Sequence, residues 1–282
     1  MKKPSSAIAD IHVVVDIAGE RRAVTVAAEL ARVLDAHLTG FALSFEPLVA
    51  VYPMTAPIPT DFVVAAREQA VADAAKAAAA FEKAAAAAGV AYQSRALATI
   101  TGEGFAEPVR AFRLSDLVVV GREVKDSPEP MRHSLIEAIL FDAGAPAMIV
   151  PPAVKELKLG RAVVAWDDTV QSSRALRAAL PLLARTGAVD VVMVSEAWKW
   201  TAGVPGADIA DHLARHGISV TVNRIDNTRN DVGATLLDAA AKAKADWLLM
   251  GAYGHNRMRQ LLLGGATRTV LAGATIPVFL VH

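Results

Sequence analysis

"AVVAWDDTVQSSRALRAALPLLART", residues 162–186, repeats a pattern already present in "HVVVDIAGERRAVTVAAELARVLDA", residues 12–36. Each stretch has a β-branched run, then an aspartate, a short polar turn and a long Ala/Leu-rich segment at helical spacing. A short continuous apolar run reads as a strand covered on both faces, and the segment after it as an amphipathic helix. Asp16 and Asp167 hold the same place in the two copies. The copies match again at their ends. "SDLVVVGRE" (115–123) corresponds to "ADWLLMGAY" (245–253), and "AGAPAMIVPP" (143–152) to "AGATIPVFLVH" (272–282). Self-similarity on this scale means one structural unit used twice.

Each half reads β-α-β-α-β-α-β-α-β. Strands alternating with helices imply right-handed crossovers and a doubly wound sheet. The fold class is α/β, two tandem doubly wound sandwiches, each with a five-stranded, mostly parallel sheet. In the second half the pattern places strands near 162–166, 189–195, 218–224, 246–250 and 277–281, and helices near 170–185, 206–216, 230–244 and 265–274. The domains expected are 1–152 and 159–282, with "PPAVKELKLGR" (151–161) linking them. The first half is longer because of a proline-rich loop at 46–62 and an alanine-rich segment at 65–89. Alanine gives that segment strong helix propensity, and Gly89 supplies its stop.

Composition excludes several classes. The 282 residues are 54% hydrophobic and 21% charged, enough to bury a sizeable core. Acids and bases balance at 29 each, so no footprint for nucleic acid follows. Cysteine is absent, which removes disulfides, thiolate metal sites and a cysteine nucleophile. The N-terminus lacks a continuous apolar h-region, and the apolar runs fall short of a membrane span. A cytoplasmic protein with no membrane partner is expected.

In "MGAYGHNRMRQLLLGGATRTVL" (250–271), Gly251 and Gly254 are followed by Gly264 and Gly265 at the start of a helix. A helix N-terminus offers unpaired N–H groups and a positive dipole end, which suit phosphate. Taken alone, the spacing fits two turns and a glycine N-cap better than a phosphate site. Neither a G-x-x-x-x-G-K-[ST] loop nor a G-x-G-x-x-G opening a helix after a first strand is present.

The two repeats, the aspartate after each first strand and the G-x-x-G-x(9)-G after the fourth strand of the second half resemble the universal stress protein family in its tandem form. The resemblance implies the fold of the adenine nucleotide alpha hydrolases, with ATP at the carboxyl edge of the sheet. By position it assigns Asp167 to the ribose and adenine, Ala165 and Trp166 to the wall beside them, and Val194 to backbone contact with adenine. Met250, Gly251, Tyr253 and Gly254 would form the first part of the phosphate loop. Gly264, Gly265, Ala266 and Thr267 would form the second. It also implies an internal pseudo-dimer of the two halves, joined through their last strands, with a homodimer as a further association. Magnesium would accompany ATP on its phosphates.

This chain departs from the family pattern in three ways. Gly265 stands where the motif has Ser or Thr, so a hydroxyl is lost and the backbone N–H is kept. Asp168 and Thr169 replace a small Gly-Ser turn. In the first half Gly121 is followed by "REVKDSPEPMRHSLIEAIL", where Asp126, Glu129 and Pro130 occupy the loop and Ser134 is expected to cap a helix. The first site is therefore expected to be degenerate.

Other signals are weaker. His212 and His216 share a helix face without a third ligand in view, so no metal site is expected. No G-x-S-x-G elbow and no Ser-Gly-Gly-x-Asp-Ser loop appears, so adenylating chemistry and a dedicated catalytic residue are not expected. Trp247 reads as core. Trp198 and Trp200 lie after the second strand of the second half. Two functions follow: a stress-responsive regulator that binds an adenine nucleotide, hydrolysed slowly at most, or a nucleotide-free interaction module of the same fold.

Overall fold

The computed structural model describes residues 8–17, 19–45, 60–99, 105–122, 131–195, 206–227, 230–252 and 265–282. The chain divides into two compact units, 1–143 and 144–282.

Unit 1 runs β1 (Asp10–Val15), α1 (Arg22–Leu34), β2 (His37–Phe45), α2 (Thr60–Ala88), β3 (Tyr92–Thr99), α3 (Ala106–Phe112), β4 (Leu117–Gly121), α4 (Arg132–Glu137) and a π-helical turn, Ala138–Ala143. Its strands are parallel in the order β3-β2-β1-β4. The order reverses at β1, so the crevice beyond β1 and β4 is the topological switch point where doubly wound sheets take ligands. The α1 helix buries Val24, Ala27, Leu30, Ala31 and Leu34, spaced to form one stripe. The α2 helix covers the opposite part of the sheet with Ala74, Ala77, Phe81 and Ala85. A Cβ at Gly40 would stand 2.6 Å from the Phe81 ring, so glycine there lets α2 sit close on β2. The helix ends where expected, at a left-handed Gly89 with φ 69°.

Unit 2 runs β5 (Ala147–Val150), β6 (Arg161–Ala165), α5 (Val170–Leu183), β7 (Ala188–Ser195), α6 (Ala207–Arg215), β8 (Val220–Asp226), α7 (Val232–Ala243), β9 (Trp247–Gly251), α8 (Gly265–Gly273) and β10 (Val278–Val281). The sheet order is β5-β10-β9-β6-β7-β8, and all pairs are parallel except β5 with β10. Trp247 and Phe279 are fully buried, with ring centroids 6.4 Å apart. Full burial of a large apolar side chain contributes about 1.5–3 kcal/mol.

Elements from the sequence pattern appear within two residues at their starts in unit 2, with the largest offsets at β8 and α7. Strand β5 is the instructive case. In sequence "AMIV" closes the first repeat, yet it runs antiparallel to β10 and packs with unit 2. Segment 151–160 also packs there through Val154, and Gly187 and Ala188 donate to Leu159 and Gly160 carbonyls.

Candidate functional site

The candidate site lies at the carboxyl edge of unit 2, where β6 and β9 are neighbours. Their register pairs Val164 with Leu249. Two residues further on it sets Trp166 beside Gly251, with Asp167 next. In unit 1, Val13 pairs with Val119. The same step sets Val15 beside Gly121, with Asp16 next. The two aspartates are therefore equivalent in three dimensions as well as in sequence.

The turn after β6 is built by local hydrogen bonds. Asp168 sits in the left-handed region with φ 59°. That explains why glycine suits this position, and aspartate tolerates it better than most residues. Thr169 is the N-cap of α5. Its hydroxyl accepts from the Ser172 N–H at 3.2 Å, and the Ser172 hydroxyl accepts from the Thr169 N–H at 3.1 Å. The Thr169 hydroxyl in turn donates to Asp167 Oδ1 at 2.6 Å, and its N–H reaches the same oxygen at 3.2 Å. Asp167 is exposed, and among the described residues its contacts fall on that one oxygen. The carboxylate is thus held by Thr169 through Oδ1.

Gly251 has a packing reason of its own. A Cβ there would stand 2.6 Å from Gln171 C and Ser172 N, so only glycine lets the first turn of α5 rest on the end of β9. The Val192 carbonyl accepts from the Trp166 N–H at 2.9 Å. Backbone groups two residues apart on a strand point the same way. The N–H and C=O of Val194 therefore point toward the β6 side, past the last residue of β6.

The α8 helix opens at Gly265, as the sequence indicates. A Cβ at Gly265 meets no described atom within 4 Å. Ala266 is half-buried and Thr267 is buried, so the Thr267 side chain faces inward rather than serving as a surface hydroxyl. The start of α8 is fixed by α7. Asp231 caps α7 by accepting from the Ala234 N–H at 3.1 Å, and its other oxygen accepts from the Thr269 hydroxyl at 3.2 Å. A Cβ at Gly233 would stand 2.6 Å from Thr269 Cβ and 2.7 Å from the Ala266 carbonyl. Tyr253, Gly254 and Gly264 lie outside the described residues, as do Trp198 and Trp200.

Among the described residues no group of three or more His, Cys, Asp and Glu is arranged to hold a metal. His212 and His216 lie on one face of α6 with rings 4.9 Å apart. No described helix is long and apolar enough to cross a membrane.

The first site is different. Asp16 Oδ1 accepts from Arg132 Nη2 at 2.7 Å, and the Arg132 side chain is only 5% exposed. Nothing in the spacing pointed to Arg132, because its partner is 116 residues away. Ser134 does not cap α4. The helix begins at Arg132 behind a left-handed Met131, which leaves Ser134 inside its first turn.

The family model of the universal stress proteins matches residues 158–282. Those residues are similar to that family. A universal stress protein from Archaeoglobus fulgidus DSM 4304 is similar over almost the whole chain. It is 18% identical, with a TM-score of 0.72, over 96% of this chain and 97% of that one. A protein of unknown function from Pseudomonas aeruginosa PAO1 is 14% identical over 98% of this chain and 93% of its own, with a TM-score of 0.59. At such identities the likeness is one of fold, and it extends the universal stress protein fold to both units. No curated protein matches the chain.

Proposed function

We propose that unit 2 binds ATP or a related adenine nucleotide at its carboxyl edge, and that the chain acts as a stress-responsive regulator rather than a dedicated enzyme. The observation that carries this is the contrast between the equivalent aspartates. Asp16 is spent on an arginine, whereas Asp167 is exposed and held by one oxygen only. Around Asp167 stand the groups a nucleotide needs. Trp166 and Ala165 form a wall, and Val194 presents backbone donor and acceptor atoms to adenine. The open first turn of α8, at Gly265 and Ala266, meets the phosphates with N–H groups and the positive end of the helix dipole. Tyr253, Gly254 and Gly264 complete the loop in this proposal. Asp168 gives an exposed carboxylate for a magnesium ion carried on the phosphates. A cytoplasmic regulator, and a homodimer beyond the two halves, belong to the same proposal.

Calorimetry with ATP and magnesium tests it. About one nucleotide per chain is expected. Asp167→Ala should weaken binding about tenfold or more, since a hydrogen bond to a charged group is worth roughly 1.5–3 kcal/mol. Gly264→Asp should abolish it. Absence of binding by the native chain, with no adenine nucleotide released on denaturation, would favour the nucleotide-free interaction module.

A further inference from the structure

We infer that Arg132 is a built-in occupant of the unit 1 site: its guanidinium satisfies Asp16 where a ligand would approach and closes that unit to nucleotides. The ligand class is taken from the reading above, but the closure stands on unit 1 alone. Asp16 follows β1 at the switch point, and Gly121 ends the neighbouring β4. Atoms Oδ1 and Oδ2 of Asp16 lie 3.2 Å from where a Cβ on Gly121 would be, so the carboxylate lies directly over the end of β4. Arg132 reaches this carboxylate from the first residue of α4.

The position of Arg132 in the repeat bears on the pair. The buried faces of α4 and α8 match when Ile136, 3% exposed, is set against Thr267, 3% exposed; Ile139 then meets Val270, and the last strands stay in step, Ala147 with Val278. Counting back four residues sets Arg132 against Leu263, beside the glycines that open α8. Where unit 2 has a leucine in the sequence, unit 1 has a long cationic side chain that reaches Asp16.

A cation at this place could instead serve as a phosphate ligand. The geometry argues against that. Arg132 is almost fully buried and already makes a charge-assisted bond of 2.7 Å. To meet a phosphate it would have to leave Asp16 without its charged partner. Any ligand of unit 1 must first displace this pair, and its apparent affinity falls by the fraction of chains in which the pair is open.

Nucleotide stoichiometry in the full chain is the test, with unit 2 disabled by Gly264→Asp. With Arg132 in place, calorimetry with ATP or adenosine should show no binding. Adding Arg132→Gly should produce about one binding equivalent per chain. Arg132→Lys should leave unit 1 closed, because an ammonium still reaches Asp16. The inference is overturned if binding in the disabled background persists with Arg132 and is lost on Arg132→Gly, which would make the arginine a phosphate ligand. It is equally overturned if Arg132→Gly melts cooperatively yet gains no binding. Should that variant fail to fold, Arg132→Gln, which keeps a donor for Asp16 without the charge, is read by the same gain or its absence. Failure of the native chain to bind nucleotide would reject the proposed function of unit 2 and would leave the Arg132→Gly result as a separate outcome.

Discussion

At the scale of single residues, Gly265 sets the strength of the unit 2 site under the proposed function. It opens α8 where the family motif carries a hydroxyl, and a Cβ there meets no described atom within 4 Å. It is also absent from the glycines with positive φ. A serine therefore fits without strain, and its hydroxyl can join the backbone N–H groups on a phosphate. Gly265→Ser should tighten ATP binding about tenfold, the effect of one charge-assisted hydrogen bond. Unchanged affinity by calorimetry would remove α8 from the phosphate site. His12 sets a different residue-scale expectation. It is buried against the Phe41 and Phe112 rings, with Asp10 at 3.5 Å, and Asp10 in turn lies 3.8 Å from His37. Burial holds His12 below the ordinary histidine range; Asp10 and Asp116 oppose this, and Arg95 and His37 reinforce it. The folded chain thus binds the proton less readily than the unfolded chain. His12 then costs stability as pH falls through about 6.5, and costs nothing above that. Urea titrations at pH 7.5 and 5.5 should show a smaller acid loss for His12→Phe than for the native chain. An identical loss would assign the acid sensitivity to other groups.

At the scale of elements, the pattern in the sequence was strong because local and tertiary preferences agree. Buried parallel strands are continuous Val/Ile/Leu runs, and their helices carry caps that can be read directly. Thr169 and Asp231 are such caps, yet each has a second role that no local rule shows. Thr169 holds Asp167, and Asp231 ties α7 to α8 through Thr269. Removing the Asp231 carboxylate leaves the Ala234 N–H uncapped and the Thr269 hydroxyl without its acceptor. Asp231→Ala should lower unfolding stability by about 1–2 kcal/mol, and Asp231→Asn by less, because asparagine also caps well. Denaturant midpoints for the two variants check the order. Gly251 carries a related lesson. In the sequence it was one glycine of a candidate loop. In the structure its contact with α5 suffices to require glycine, so Gly251 alone is no evidence of phosphate. The candidate site was legible as a place in the repeat, whereas the state of each aspartate depended on side chains brought from far along the chain.

At the scale of the whole molecule, the contacts divide the chain after Ala143, so "AMIV", which closes the first repeat in sequence, falls in the second compact unit. A strand's own residues say that it is buried, not which sheet it joins, and "AMIV" is the case in point. Within unit 2 it pairs in register with β10: Val278 with Ile149, and Leu280 with Ala147. The consequence can be measured with fragments. Fragment 144–282 retains β5, so the edge of β10 stays paired. Fragment 159–282 keeps all but the first residue of the matched segment but leaves the "VFLV" edge of β10 without its antiparallel partner. An uncovered apolar edge strand is a template for pairing with another chain. The same antiparallel geometry lets two β10 strands pair with each other. Sedimentation at rising concentration should therefore find 159–282 dimerising or aggregating more readily than 144–282. Adding a proline at Phe279, in the middle of β10, should prevent the ordered dimer by removing a ladder donor. If 159–282 stays monomeric and as stable as 144–282, β5 is dispensable to unit 2 and the unit ends where the sequence repeat does.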